Sequence, residues 1–200
     1  MSLSRRLWEA NADLAQAALE HPFVRGLGDG TLPLSAFQGY VAQDAFFLEC
    51  FARAYALALA RSPDRATLEV FADLVTGVRE ELRLHGAYAA RWGVDLDGVR
   101  PGPATTAYTD FLLATASLGG VGLVCAAMTP CMRLYAHLGQ SLPEEGPYAE
   151  WVRTYADPGF EALAASLEDL LDRHADDDAT TAAAYRRAME LELAFFGAAL

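Results

Sequence analysis

The chain has 200 residues, 53% of them apolar, enough for one domain with a sizeable core and too apolar for a disordered chain. The formal charge of −12 argues against a reader of duplex nucleic acid, which needs a basic footprint, and disfavours an anionic membrane surface. Long stretches rich in Ala, Leu, Glu and Arg, broken by short Gly, Pro and Asp punctuation, predict an all-α helical bundle in a single domain over residues 1–200.

In chain order, a first helix is expected from about Ser4 to Glu20. His21-Pro22-Phe23 stops it, and Gly26, Gly28 and Gly30 predict a loop. Ser35 is the expected N-cap of a long second helix reaching about Arg61. Ser62-Pro63-Asp64 turns the chain into a third, ending at Trp92-Gly93. A Gly-, Pro- and Asp-rich loop is expected to run to Pro103. Shorter helices follow over about Thr105–Leu118, Val121–Leu138, Gly146–Tyr155 and Pro158–His174, and a last one from about Asp178 to the C-terminus. The uncharged run from Phe111 to Met132 is long enough to span a bilayer, but its glycines and Pro130 make it two buried helical pieces.

Charges at the N-terminus stand where a signal peptide needs an apolar stretch. The three cysteines, Cys50, Cys125 and Cys131, are an odd count without metal-ligand spacing. Both features point to the reducing cytoplasm. His85 follows Glu81 by four residues, a spacing for either a metal or a structural bond. No Glu-x-x-His pair, no phosphate-binding glycine loop after a strand and no Gly-x-Ser-x-Gly elbow occurs, so no metal site is expected.

Polar residues inside apolar stripes carry the functional signal. Phe37, Val41, Asp44, Leu48, Phe51 and Tyr55 share one helical face, and Asp44 interrupts it. Glu192 interrupts the face formed by Tyr185, Met189, Phe196 and Ala199. Val124, Met128, Cys131, Tyr135 and Leu138 share a third. A buried carboxylate is costly unless paired, so two of them and a cysteine suggest a polar pocket inside the bundle. The bland alternatives stay open: Asp44 bonding a tyrosine or a helix end, Glu192 pairing with an arginine, a cysteine acting as a small hydrophobe, as Cys50 and Cys125 are read. Pro130 requires the helix to kink or begin there. Beginning there would put Cys131 in a first turn, where the helix dipole lowers a thiol pKa.

The segments HPFVRGLGDGTLPLSAFQGYVAQDAFFLECFAR, EELRLHGAYAARWG, AYTDFL, AAMTPCMRLYAHLG, YAEWVRTYADPGF and ELELAFFG together resemble the thiaminase II (TenA) family, in its cysteine-containing branch. The resemblance implies the haem-oxygenase-like fold, a homotetramer and no metal or organic cofactor. It implies hydrolysis of 4-amino-5-aminomethyl-2-methylpyrimidine to the hydroxymethyl pyrimidine and ammonia in thiamin salvage, with thiamin itself a second substrate in many members. By the same resemblance Cys131 is the nucleophile and Glu192 the acid/base carboxylate. Asp44, Phe47, Tyr108, Tyr135 and Tyr155 bind the pyrimidine, with Phe47 at a stacking position that is often Tyr. Two rivals stand beside this reading: a non-catalytic pyrimidine-binding or regulatory protein, and a metal-dependent oxidase on the same fold.

Overall fold

A computed structural model describes residues 1–94, 96 and 98–200. Among them every regular element is helical. The longest two, α4 (Leu34–Ala60) and α5 (Arg65–Trp92), form an antiparallel hairpin. Asp64 starts α5 by accepting from the Thr67 amide at 2.8 Å, and Gly93, with φ +67°, ends it in a left-handed turn. The α4 stripe read from the sequence is buried along its whole length, from Phe37 to Tyr55.

The remaining helices are α1 (Leu3–Ala10), α2 (Ala12–Leu19), α3 (Pro22–Asp29), α6 (Pro103–Leu118), α7 (Val121–Ser141), α8 (Ala149–Ala156), α9 (Pro158–His174) and α10 (Ala179–Ala198). Contacts run in a ring, from α5 to α4, α6, α10, α7 and α9, and α9 returns to α5. α8 packs on α7 from outside the ring, and α7 also touches α4 across it. Asp157 and Asp178 cap α9 and α10, accepting from the amides of Gly159 and Thr181 at 2.7 and 2.8 Å.

Three local expectations are corrected. The first helix is interrupted at Asn11, which is buried and donates its side-chain amide to the Leu7 carbonyl at 2.8 Å. His21-Pro22-Phe23 begins a helix instead of only ending one. Pro22 sits at the first helical position, His21 Nδ1 accepts from the Phe23 amide at 3.2 Å, and Gly26 and Gly28 are helical. Ser35 is not the N-cap of α4; Pro33 holds that position, without a side-chain cap bond. The expected loop from Gly93 to Pro103 includes positions 95 and 97, which lie outside the described residues.

The run from Phe111 to Met132 divides at Gly119-Gly120 into α6 and α7, as the glycines predict. Among the described residues α7 alone is long and apolar enough to cross a membrane, and most of it is packed inside the bundle. Two of its glycines make that packing possible. A Cβ on Gly139 would stand 2.5 Å from the Ala156 nitrogen, and one on Gly122 2.5 Å from the Ala175 Cα. On the outer side of α7, half-buried Arg133 donates to Glu168 at 2.6 and 2.8 Å and to Glu161 at 2.8 and 2.9 Å, fastening α9.

Candidate active site

Where α4, α5, α7, α8 and α9 meet, a narrow, tightly closed cavity is lined by Asp44, Phe47, Cys131, Tyr135 and Tyr155, with Glu81, Met132 and Phe160. Five of the seven residues singled out from the sequence are thus gathered around one space. The other two, Glu192 and Tyr108, stand behind this wall, both fully buried. The Tyr108 hydroxyl donates to Glu192 Oε1 at 2.7 Å, and the Cys131 thiol faces the same carboxyl. Among the described residues Glu192 therefore has no arginine partner; its polar contacts are a phenol and a thiol.

α7 continues through Pro130, so Cys131 lies mid-helix and not in a first turn. Pro130 has no N–H to give the Ala126 carbonyl one turn back; beside it the Thr129 hydroxyl donates to the Cys125 carbonyl at 2.7 Å. Without a helix N-terminus behind it, the thiol is not acidified. Burial, followed by the nearby Glu192 carboxylate, pushes it well above the usual thiol range. The expectation of a dipole-lowered thiol is corrected accordingly. Burial also raises Glu192, to about 7, with the Tyr108 and Cys131 contacts opposing it.

The second acidic cluster contains two residues that were not assigned a site role from the sequence. Asp44, on α4, accepts from His85 Nε2 at 2.5 Å, and His85 Nδ1 lies 3.1 Å from the Glu81 carbonyl oxygen on its own helix. The Glu81 carbonyl can only accept, so Nδ1 donates to it, and Nε2 is left to face the Asp44 carboxyl. Burial alone would lower its pKa; the Asp44 carboxylate overrides that and raises it to about 9. The cation holds one oxygen of Asp44, and Oδ1 has no hydrogen-bond partner among the described residues. Glu81 accepts from the Tyr155 hydroxyl at 2.7 Å, and burial lifts it to about 7 against the pull of His85. The i, i+4 bond that His85 makes is to the Glu81 backbone carbonyl and not to its carboxyl, and the ring's second partner lies on the facing helix.

Aromatic rings complete the walls. Phe47 packs against Tyr108, Phe51 and Phe195, with ring centres 4.8, 5.4 and 5.7 Å away. Tyr155 meets Tyr135 and Trp151, both at 4.7 Å. Trp151 Nε1 donates to Tyr40, and Tyr40 to Tyr135, at 3.2 and 3.3 Å, which fixes the Tyr135 hydroxyl at the cavity. A wider cleft adjoins on the solvent side, sharing Glu81, Met132 and Phe160 with the cavity and lined further by Leu74, Val78 and Leu163. The arrangement presents a flat aromatic slot, a fixed carboxylate, a thiol and a raised acid, which suits a small planar heterocycle.

Comparison with known proteins agrees in family and fold. An aminopyrimidine aminohydrolase of Halalkalibacterium halodurans is 35% identical over 185 residues, covering 88% of this chain and 83% of that protein. A thiamine biosynthesis multifunctional protein, ThiED, of Corynebacterium efficiens is 37% identical over 78% of this chain, which matches only 22% of that longer protein. Among solved structures, a TenA family transcription regulator from Silicibacter sp. TM1040 superposes with a TM-score of 0.92 at 27% identity, over 98% of this chain and 96% of that one. A domain of unknown function with a heme oxygenase-like fold from Shewanella denitrificans gives 0.77 at 15% identity, over 98% and 90% of the two chains, and shares the fold alone. The model of the TENA/THI-4/PQQC family matches residues 8–200, and the chain belongs to that family.

Proposed function

We propose that this chain is an aminopyrimidine aminohydrolase that replaces the amine on the exocyclic methylene of a 4-aminopyrimidine with hydroxyl and releases ammonia. The observation that carries the reading is the convergence of Asp44, Cys131, Tyr135 and Tyr155 on one cavity, with Glu192 directly behind the sulfur. The named relatives support the reaction class. The ring slots between Phe47 and the tyrosines. Asp44, held in place by His85, accepts from the ring's exocyclic amine.

Because the resting thiol is protonated, its proton leaves during attack. The Glu192 carboxylate takes it as the sulfur adds to the ring. The dearomatised ring expels the amine, which carries away that proton. Water then adds to the methylene and returns a proton to Glu192. The ring finally expels the sulfur, which recovers its proton from Glu192. One water enters and one ammonia leaves, with no redox change. In this reading the chain is one domain and needs no metal or organic cofactor. It works in the reducing cytoplasm, where its three unpaired cysteines persist, and assembles as a homo-oligomer.

Cys131→Ser tests it. Ammonia release from the aminomethyl pyrimidine should fall by at least about a thousandfold, while calorimetric binding of the hydroxymethyl product stays within about threefold of the parent. Full turnover by the variant removes Cys131 as nucleophile. No turnover by the parent chain favours a binding protein.

A further inference from the structure

We infer that Tyr55 is a substrate-contacting residue, whose hydroxyl binds the polar atom carried by the exocyclic methylene. The inference rests on the aminohydrolase reading and adds a contact to it. Tyr55 lies three turns along α4 from Asp44 on the same face, its ring held between Phe51 at 4.8 Å and Phe71 at 6.1 Å. The residue has no exposed surface, yet its hydroxyl has no hydrogen-bond partner among the described residues. A buried hydroxyl without a partner is costly, and phenylalanine would fill the same space without that cost.

The location supplies the missing partner. Tyr55 borders the outer cleft beside Leu74, Glu81 and Met132, and Glu81 and Met132 also line the inner cavity. After burial, the groups that act on its hydroxyl are Cys131, Cys125 and Glu81. Tyr55 therefore lines the cleft beside the two residues, Glu81 and Met132, that the cleft shares with the cavity, within electrostatic reach of the Cys131 sulfur. In the inferred role, the leaving amine and the incoming water pass between cavity and cleft beside this hydroxyl. A phenol accepts from an ammonium or a water and donates to a hydroxyl oxygen, so one group serves substrate, water and product in turn.

Tyr185 provides a matched control. It is also fully buried with an unpartnered hydroxyl, but its charged neighbours are Glu168 and Arg133, away from the cavity. Tyr55→Phe and Tyr185→Phe should be titrated calorimetrically with the hydroxymethyl pyrimidine and with 4-amino-2,5-dimethylpyrimidine, which lacks the hydroxyl. Tyr55→Phe should weaken the hydroxymethyl compound by about five- to tenfold, the worth of one hydrogen bond, and leave the dimethyl compound within about twofold. Tyr185→Phe should change neither. Unchanged affinity for the hydroxymethyl compound in Tyr55→Phe, or equal loss for both ligands, overturns the inference while leaving the aminohydrolase reading intact. A parent chain that binds neither pyrimidine overturns both.

Discussion

Replacing Glu192 by Gln should stabilise the protein while stopping its chemistry. Glu192 is 1% exposed, and its carboxyl is held at about 7 against an ordinary 4.5. Between those values the folded chain keeps a proton that the unfolded chain has lost. The native state therefore binds more protons, and stability falls as pH rises through this window. Well above about pH 7 the penalty is complete, about 3 kcal/mol. Gln keeps an oxygen for the Tyr108 hydroxyl and carries no charge, so the penalty disappears. At about pH 8.5 Glu192→Gln should unfold about 3 kcal/mol harder in urea, and its melting temperature should rise by roughly 6–12 °C; at about pH 5 the gain should shrink below about 1 kcal/mol. Ammonia release should be lost at both. An equal stability change at the two pH values would refute the argument that burial strains this carboxyl.

His85→Ala leaves Asp44 buried without its cation and should destabilise the fold by about 3–5 kcal/mol near neutral pH, read from urea unfolding. Adding Asp44→Ala should restore part of that loss; strict additivity in the double-variant cycle would show that the pair is not coupled. Gly139→Ala pushes a Cβ into the backbone at Tyr155 and Ala156, and should cost about 1–3 kcal/mol together with most of the activity. Gly86→Ala, helical and open to solvent with nothing near its Cβ, is the contrasting case and should stabilise by about 0.5–1 kcal/mol; thermal melts of both variants check the pair.

Helical periodicity was enough to place Asp44, Cys131 and Glu192 on inward faces, because a helix fixes which residues share a stripe. It did not reveal which stripes face one another. The α4–α5 hairpin is an exception that could have been read. Asp44 and His85 lie about equally far from the Asp64 cap on either side, so folding the hairpin brings them level. The same register brings the Gln38 side chain to the Trp92 carbonyl, at 2.6 Å. Glu81 follows one turn from His85. Phe160 and Trp151 were not legible, since α8 and α9 reach the cavity through tertiary packing that no local pattern encodes. Pro130 was misleading because either a kink or a start satisfies its chemistry, and the choice is made by α8, α9 and α10 packing against an unbroken α7. The loop forecast at Gly26 and Gly28 failed for a related reason. Glycine permits a turn without requiring one, and Gly26 is needed for the close approach of Leu32.

The trio of interior acids gives the cavity a preference among visitors. Asp44 is bonded to the His85 cation, Glu81 feels that cation without bonding it, Glu192 has no cationic partner among the described residues, and above about pH 7 both glutamates shed their protons. A guest bearing an ammonium group then serves as a counter-ion for the interior, and a neutral alcohol does not. Each catalytic cycle exchanges the first kind of guest for the second, so chemistry itself removes the attraction that drew the molecule in, and the emptied chamber is again biased toward the next cation.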